Sequence, residues 1–198
     1  MRERRSAVSN AAPREGRVEG VFTSLHVGLD DIDATIGGCT THLAYLIVKH
    51  ILREFPDTSF IDYPNLVRLN PSIPFKTRGN GAVALRVLVR ESVIDRLISE
   101  IAGIVQEYVE SLRFRPTTDP GLVFLEGGVD DDFRRFYFKA LTDYVPVDLV
   151  KDFLRMYGDS LKAPLGIRKG LVGAIAAVGW PEGVDCTYEL LAYRVGGS

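Results

Sequence analysis

Apolar residues recur at helical spacing in two long segments, 38–53 and 92–112, of this 198-residue chain. In each segment they fall three or four residues apart, which places them on one face of a helix. The residues on these faces are Leu43, Leu46, Ile47 and Ile51 in the first segment and Ile94, Leu97, Ile98, Ile101, Val105 and Val109 in the second. We therefore predict two amphipathic helices that each bury one side.

Shorter apolar runs, bounded by Gly, Pro or charged residues, indicate strands. These runs cover 24–29, 58–69 with a break at Pro64, 82–89, 122–125 and 186–195. Further helices are predicted at 131–143, 147–157 and 168–180. The last is so rich in Gly and Ala that its backbone can approach a neighbouring element closely. Strands and helices in irregular alternation are typical of an α+β fold.

The composition is that of a soluble globular protein, with 46% hydrophobic and 25% charged residues. The chain contains no apolar run of about eighteen residues, the length that a membrane span needs. The net charge of −2 excludes a globally basic nucleic-acid binder but not a local basic groove. Cys39 and Cys186 lack the spacing of a disulfide framework or a zinc site, which favours the reducing cytoplasm.

The Arg-rich segment 1–22 has no apolar core of the kind that a secretory signal requires. We expect it to be a disordered tail. The folded region is then 23–198.

Three aspartates crowd the end of the first predicted strand, at Asp30, Asp31 and Asp33. Neighbouring carboxylates repel one another and raise one another's pKa, so a cation is expected among them. Magnesium binds one or two carboxylates together with substrate phosphates. The alternative is a solvated turn in which Asp33 caps the following helix. The Gly-Gly pair and the Thr-led helix that follow favour the metal site.

Thr40 stands where that helix begins, next to backbone N–H groups that can bind an anion. It can act purely as a helix cap. A hydroxyl beside a magnesium site is also placed to contact a nucleotide phosphate or to accept it. Cys39 is interpreted as a small buried hydrophobe, and His42 receives no role.

Two glycine-rich segments carry cations that could balance phosphate groups. The candidate phosphate-binding residues are Lys76, Arg78, Gly79, Asn80 and Gly81 in the loop 70–81 and Arg168, Lys169 and Gly170 at the start of the helix 168–180. Neither matches the Walker A pattern. Each alone is equally well explained as a glycine turn with exposed cations. Together with the aspartates they predict a magnesium-nucleotide site.

Tyr63 and Arg68 offer a weaker signal for RNA, through base stacking and phosphate binding respectively. Core packing explains Tyr63 equally well. His26, on a predicted strand, and His50, on the apolar face of a helix, are expected to be packed structural residues.

Several long motifs resemble one archaeal family in the same order. They are "GLDDID", "GGCTTHLA", "DYPNLVRLNPSIPFKTRGNGAVAL", "FYFKALTD", "RKGLVGAIAAVGW" and "YELLAYR". This sequence resembles the N-terminal part of the tRNA-Ile 2-agmatinylcytidine synthetases (TiaS). The block "RLNPSIPFKTRGNGA" is the most specific of these motifs.

The resemblance implies a kinase-like α/β domain with an adjoining ferredoxin-like domain. It implies an ATP- and magnesium-dependent ligase that phosphorylates the wobble cytidine of tRNA-Ile with a CAU anticodon and condenses agmatine onto it. By the same resemblance, Asp30, Asp31 and Asp33 bind magnesium, and Thr40 is phosphorylated by the enzyme itself.

The sequence departs from that family in three ways. It has "DIDA" where the family commonly has "DTDS", it has a basic tail before the first strand, and we expect it to lack the OB-fold and the zinc ribbon that follow in the family. One expectation is therefore that a separate chain supplies the tRNA contacts. A stand-alone ATP-dependent phosphotransferase on another substrate, and a non-enzymatic nucleic-acid-binding module, are the two alternatives.

Overall fold

The computed structural model describes residues 20–33, 37–74, 76, 79–112, 119–166 and 169–181. Strands and helices alternate along them. The elements are β1 (Phe22–Asp30), α1 (Thr40–Glu54), β2 (Ser59–Phe60), β3 (Asn65–Arg68), β4 (Gly81–Arg90), α2 (Glu91–Ser111), β5 (Gly121–Glu126), α3 (Asp131–Thr142), α4 (Val147–Tyr157), a 3-10 turn (Gly158–Ser160), β6 (Leu161–Leu165) and α5 (Lys169–Val178).

The strands form one antiparallel sheet in the order β2-β4-β1-β5-β6, with β3 also paired to β4. The first strand in the sequence is thus central, between β4 and β5. The path from β1 to β5 is the split βαβ arrangement of ferredoxin-like folds. The predicted α+β architecture is confirmed. The division into a kinase-like and a ferredoxin-like domain stays a prediction.

Alternation along β1 separates two hydrophobic layers. Leu25, Val27 and Leu29 face α1 and α2, whose apolar faces bury residues such as Leu43 and Leu97. Side chains of β1 alternate between faces, so Gly28 belongs to the opposite one. There α3, α4 and α5 pack on the sheet. Both helices predicted from spacing therefore lie on one side, as their apolar faces require.

Helix α5 lies against the sheet at backbone distance. A Cβ on Gly28 would stand 2.0 Å from the carbonyl oxygen of Ala174, and one on Gly121 would stand 2.1 Å from that of Gly170. Real side chains do not fit in such gaps, so the close approach depends on glycine in the strands. The close packing expected of this Gly- and Ala-rich helix is confirmed.

The strand β6 was not predicted from the sequence. It is short, contains Pro164, and pairs with β5 through a register irregularity between Leu122 and Phe124. Proline is tolerated because β6 lies at the sheet edge, where one side needs no ladder hydrogen bonds. The extended segment 58–69 is divided into β2 and β3 around Pro64, as its sequence indicated.

Two predicted segments lie partly or wholly outside the described residues. The strand expected at 186–195 and residues 1–19 of the expected tail lie outside the described residues, and Phe22 already begins β1. His26 is buried in β1, as expected. Through the described part of the chain, no helix combines the length and the apolar character that crossing a membrane would take.

We expect Gly28→Ala to lower the free energy of unfolding by about 1–3 kcal/mol, the usual cost of forcing extra atoms into a packed interior. The added methyl group would push α5 off the sheet. Urea denaturation of the two proteins measures the difference.

Gly103→Ala is the matched control, because a Cβ at this position in α2 meets no atom within 4 Å. Alanine there should stabilise the helix by up to about 1 kcal/mol. Equal stability changes in the two variants would show that α5 is not held at backbone distance.

Candidate functional site

The acidic end of β1 meets the start of α5. Asp30 pairs with Gly121 across the sheet, and its carboxylate lies directly under Gly173. A Cβ on Gly173 would stand 1.8 Å from Asp30 Oδ2, so the helix can cover this carboxylate only with glycine at that position. Burial raises the pKa of Asp30 well above its usual range, although the Asp31 N–H acts in the opposite direction.

Asp31 has a left-handed backbone, with φ at +53°, and its side chain is only 8% exposed. This conformation is uncommon outside glycine, and such residues concentrate at functional sites. Asp31 Oδ2 accepts a hydrogen bond from the Asp119 N–H at 2.9 Å and lies 3.1 Å from Lys169 Nζ. Burial raises the pKa of Asp31, while the Asp119 amide and the Lys169 ammonium moderate the rise.

Asp119 is a third carboxylate at this end of the sheet, and no sequence pattern pointed to it. Its Oδ2 atom is buried and has no hydrogen-bond partner among the described residues. Among the described residues of this group there are three carboxyl groups, on Asp30, Asp31 and Asp119, and one cation, Lys169. The group therefore has more acidic than basic side chains. A buried carboxylate oxygen without a partner is the kind of group that a cation would satisfy.

Asp33 turns away from this group to the N-terminus of α1. Its Oδ1 accepts hydrogen bonds from the Thr40 backbone N–H at 2.7 Å and from Thr40 Oγ1 at 3.2 Å. The capping role that the sequence left open for Asp33 is therefore present. The N-cap position itself belongs to Cys39, which makes no side-chain capping bond, and Thr40 is the first helical residue.

The two groups are adjacent without forming a closed cage. Asp30, Asp31, Lys169 and Gly170 are brought together with Asp119, while Asp33 binds Thr40. Where the structure describes the chain, no three His, Cys, Asp or Glu side chains are grouped closely enough to hold a metal ion by themselves.

The glycine-rich loop lies at the same end of the sheet. Leu29 pairs with Val83, so the start of β4 is beside the end of β1, and Arg68 pairs with Gly81. Asn80, with φ at +52°, closes the loop by donating a hydrogen bond to the Asn70 carbonyl at 2.6 Å. This bond joins the two described ends of the loop at the same end of the sheet as the aspartates.

The cations of this loop are only partly described. Lys76 is exposed, and its Nζ donates to the Pro71 carbonyl. Gly79 is exposed beside the Arg68 guanidinium. The predicted phosphate-binding residues Arg78 and Arg168 lie outside the described residues.

Of the two residues proposed to bind RNA, Arg68 is exposed at the end of β3 and Tyr63 lies before that strand. The Tyr63 side chain is 69% exposed, so core packing does not explain it. An RNA contact by either residue stays a prediction.

Sequence comparison identifies relatives across most of this chain. The family model for the TiaS TCKD domain matches residues 26–162. A tRNA-Ile 2-agmatinylcytidine synthetase TiaS of Ignisphaera aggregans is 41% identical over 182 residues, covering 87% of this chain and 39% of the relative. Its counterpart in Pyrococcus horikoshii is 41% identical over 171 residues, covering 86% and 38%. The chain thus spans about two fifths of the length of these relatives.

Solved structures give the same relationship. A complex of TiaS with its isoleucine tRNA and ATP has a TM-score of 0.68 at 34% identity and covers 82% of this chain and 37% of its own. A complex of TiaS with the same kind of tRNA, AMPCPP and agmatine has a TM-score of 0.66 at 32% identity, with the same coverage of 82% and 37%. The matched segment 26–162 extends from β1 into β6 and includes the three aspartates of the predicted site. The chain therefore belongs to the TiaS TCKD domain family.

Proposed function

We propose that this chain carries the ATP-using part of an enzyme that joins agmatine to the wobble cytidine of tRNA-Ile with a CAU anticodon. The observation that carries the proposal is the hydrogen-bonded pair of Asp33 and Thr40 beside the buried aspartates Asp30 and Asp31. Related proteins are named for this reaction, and related structures hold an isoleucine tRNA with ATP, or with AMPCPP and agmatine.

The proposed reaction has two displacements. The cytidine carbonyl oxygen attacks the γ-phosphorus of ATP, an O–P bond forms, and ADP leaves. The agmatine amine then attacks the activated carbon, a C–N bond forms, and phosphate leaves with the carbonyl oxygen while the amine loses a proton. Cytoplasmic location follows from a tRNA substrate. The remaining contacts to tRNA belong to the part of the relatives that this chain does not match, or to a separate chain.

Magnesium is the ion that we propose for this site, because it takes one or two carboxylates together with substrate phosphates and needs no third acidic ligand. Asp30 and Asp31 would supply the carboxylate oxygens, and the buried Asp119 Oδ2, which has no hydrogen-bond partner among the described residues, adds negative charge at the same end of the sheet. Burial raises the pKa of both Asp30 and Asp31 and thereby favours their neutral forms. A bound cation would act in the opposite direction and favour the charged forms. When bound, the ion neutralises the negative charge that develops on the transferred phosphoryl group.

The start of α5, at Lys169 and Gly170, lies beside the same aspartates. Lys169 Nζ now pairs with Asp31. An ammonium group at the N-terminus of a helix is suited to nucleotide phosphates, because both the charge and the backbone N–H groups attract anions. We propose that Lys169 contacts ATP phosphates, together with Lys76 and the glycine-rich loop 70–81.

Thr40 is proposed to accept a phosphoryl group from ATP. Its hydroxyl donates to Asp33, so the carboxylate is placed to orient the hydroxyl and to take its proton as Oγ1 bonds to phosphorus and ADP leaves. The product is a dianion beside Asp33.

Phosphate on Thr40 is the first expected result when the protein is incubated with magnesium and ATP. Peptide mass spectrometry should locate it there, and Thr40→Ala should abolish it. Asp33→Asn should slow the reaction at least about tenfold, because an amide cannot take the proton. Thr142→Ala is the control, since that hydroxyl only bonds the Phe138 carbonyl in α3. An unmodified Thr40 in the unaltered protein would contradict the proposal for this residue.

The stability of the protein should carry the signature of a buried carboxylate. The folded-state pKa of Asp30 is raised, so the folded chain binds its proton more tightly than the unfolded chain does. Its contribution to stability is present below the unfolded pKa and is lost as the pH rises through the folded pKa. We therefore expect Asp30→Asn to raise Tm at neutral pH, by about 2–4 °C for each kcal/mol added to the free energy of unfolding. In acid the two proteins should differ less in Tm.

The same Tm comparison, repeated with magnesium added, tests the proposed metal site. Magnesium should raise the Tm of the unaltered protein and leave Asp30→Asn unaffected. Asp148→Asn is the matched control, because the pKa of this exposed carboxyl is lowered by Lys151. That variant should not gain stability at neutral pH, and it should still respond to magnesium. A magnesium response that is the same in Asp30→Asn would remove Asp30 from the metal site.

The RNA reaction separates the family activity from a phosphotransferase with another substrate. With ATP, magnesium and labelled agmatine, we expect label on a tRNA-Ile transcript with a CAU anticodon, and none on one with GAU. A longer relative's unmatched part can be added as a separate chain. ATP consumption with phosphate on Thr40, but no agmatine transfer under any of these conditions, would favour the other phosphotransferase.

A further inference from the structure

The N-terminus of α1 is held by a side chain from another helix. The Tyr108 hydroxyl, on α2, accepts a hydrogen bond from the Cys39 N–H at 3.2 Å. The same hydroxyl lies 3.1 Å from Nδ1 of His42. Cys39 is the N-cap residue and directly precedes Thr40, so Tyr108 touches the helix end that presents the Thr40 hydroxyl.

Two side chains therefore fix this helix end from different sides. Asp33 binds the Thr40 N–H and hydroxyl, and Tyr108 binds the Cys39 N–H. The N-cap side chain itself makes no capping bond. If the phenol were lost, the Cys39 N–H would lose this acceptor, the first turn could shift, and the Thr40 hydroxyl would move relative to Asp33.

The phenol also takes part in a hydrogen bond with His42. A tyrosine hydroxyl has one proton to donate and lone pairs to accept with. Its oxygen accepts from the Cys39 N–H, and the bond with His42 Nδ1 can form in either direction, according to the His42 tautomer. If the hydroxyl donates to Nδ1, neutral His42 carries its own proton on Nε2. The ring is further placed by Tyr45, which stacks on it with centroids 6.4 Å apart.

We infer that Tyr108 is a positioning residue for phosphoryl transfer at Thr40 and that it holds His42 in the Nε2–H tautomer. This inference rests on the proposed function of Thr40. A phenol suits the position because it satisfies the N-cap amide without adding a negative charge. The helix end already binds the Asp33 carboxylate, so a neutral phenol avoids a second negative charge that would weaken its attraction for the phosphate. A carboxylate there would bind the amide equally well and repel the phosphate.

The first test uses the unaltered full chain without ATP. Nitrogen-15 NMR of the histidine rings, at a pH where His42 is neutral, should show the Nε2–H tautomer. Tyr108→Phe should increase the population with the proton on Nδ1 and speed hydrogen exchange of the Cys39 amide. A neutral His42 with its proton on Nδ1 in the unaltered chain would overturn the proposed hydrogen-bond direction.

The second test is kinetic. Tyr108→Phe should lower kcat for Thr40 phosphorylation about tenfold, the equivalent of one hydrogen bond of roughly 1.4 kcal/mol. KM for ATP should stay within about twofold, because Tyr108 bonds the helix end that presents the acceptor hydroxyl. Tyr45→Phe is the matched control: it removes a tyrosine hydroxyl but keeps the ring that stacks on the same histidine, and it should leave kcat unchanged.

The outcomes separate this inference from the proposal on which it rests. If the unaltered protein shows the expected tautomer but no phosphate on Thr40, the proposed role of Thr40 fails. If the unaltered protein phosphorylates Thr40 and Tyr108→Phe does so at the same rate, the positioning role fails. A parallel fall in kcat in Tyr45→Phe, or a fall in ATP affinity in Tyr108→Phe, would also overturn it. The tautomer measurement needs no variant and stands even if Tyr108→Phe folds poorly.

Discussion

The contact of α5 with the central strands controls the geometry of the acidic end of the sheet. Helix and sheet touch backbone to backbone, at Gly28 and Gly121, where a single methyl group would not fit. Only at this distance does the start of α5 carry Lys169 to Asp31 and lay Gly173 on Asp30. The glycines are therefore part of the site, although they offer no functional group to it.

Burial of carboxylates at this position is unfavourable for the fold by itself. Asp30 and Asp31 are desolvated, and both have a raised pKa. Asp31 also has a left-handed backbone. Natural proteins retain such strain where function needs it and compensate elsewhere. Here the compensation comes from two well-packed hydrophobic layers, one on each face of the sheet.

Sequence alone was sufficient for features that are local. Helical spacing gave α1 and α2, and the density of charge after β1 identified the aspartates. Tertiary contacts were invisible to the same reasoning. Asp119 reaches Asp31 across 88 positions, and Tyr108 reaches Cys39 across 69. No short motif encodes such pairs, because they follow from which strands and helices become neighbours. The strand β6 was not predicted for a related reason. Its proline is acceptable only in an edge strand, and the place of a strand in the sheet depends on tertiary pairing.

The order of the strands also affects when the acidic site can exist. The central strand β1 is made first, yet its partner Gly121 for Asp30 lies about 90 residues further along the chain. At the usual rate of synthesis, roughly 5–20 residues per second, β1 waits several seconds for β5. Non-local pairing of this kind is slow, since a long loop must close before contacts reward it. During synthesis the aspartates stay in water, separated from Lys169. The contacts of Asp30 and Asp31 with α5 therefore cannot form in a newly made chain until that helix has docked.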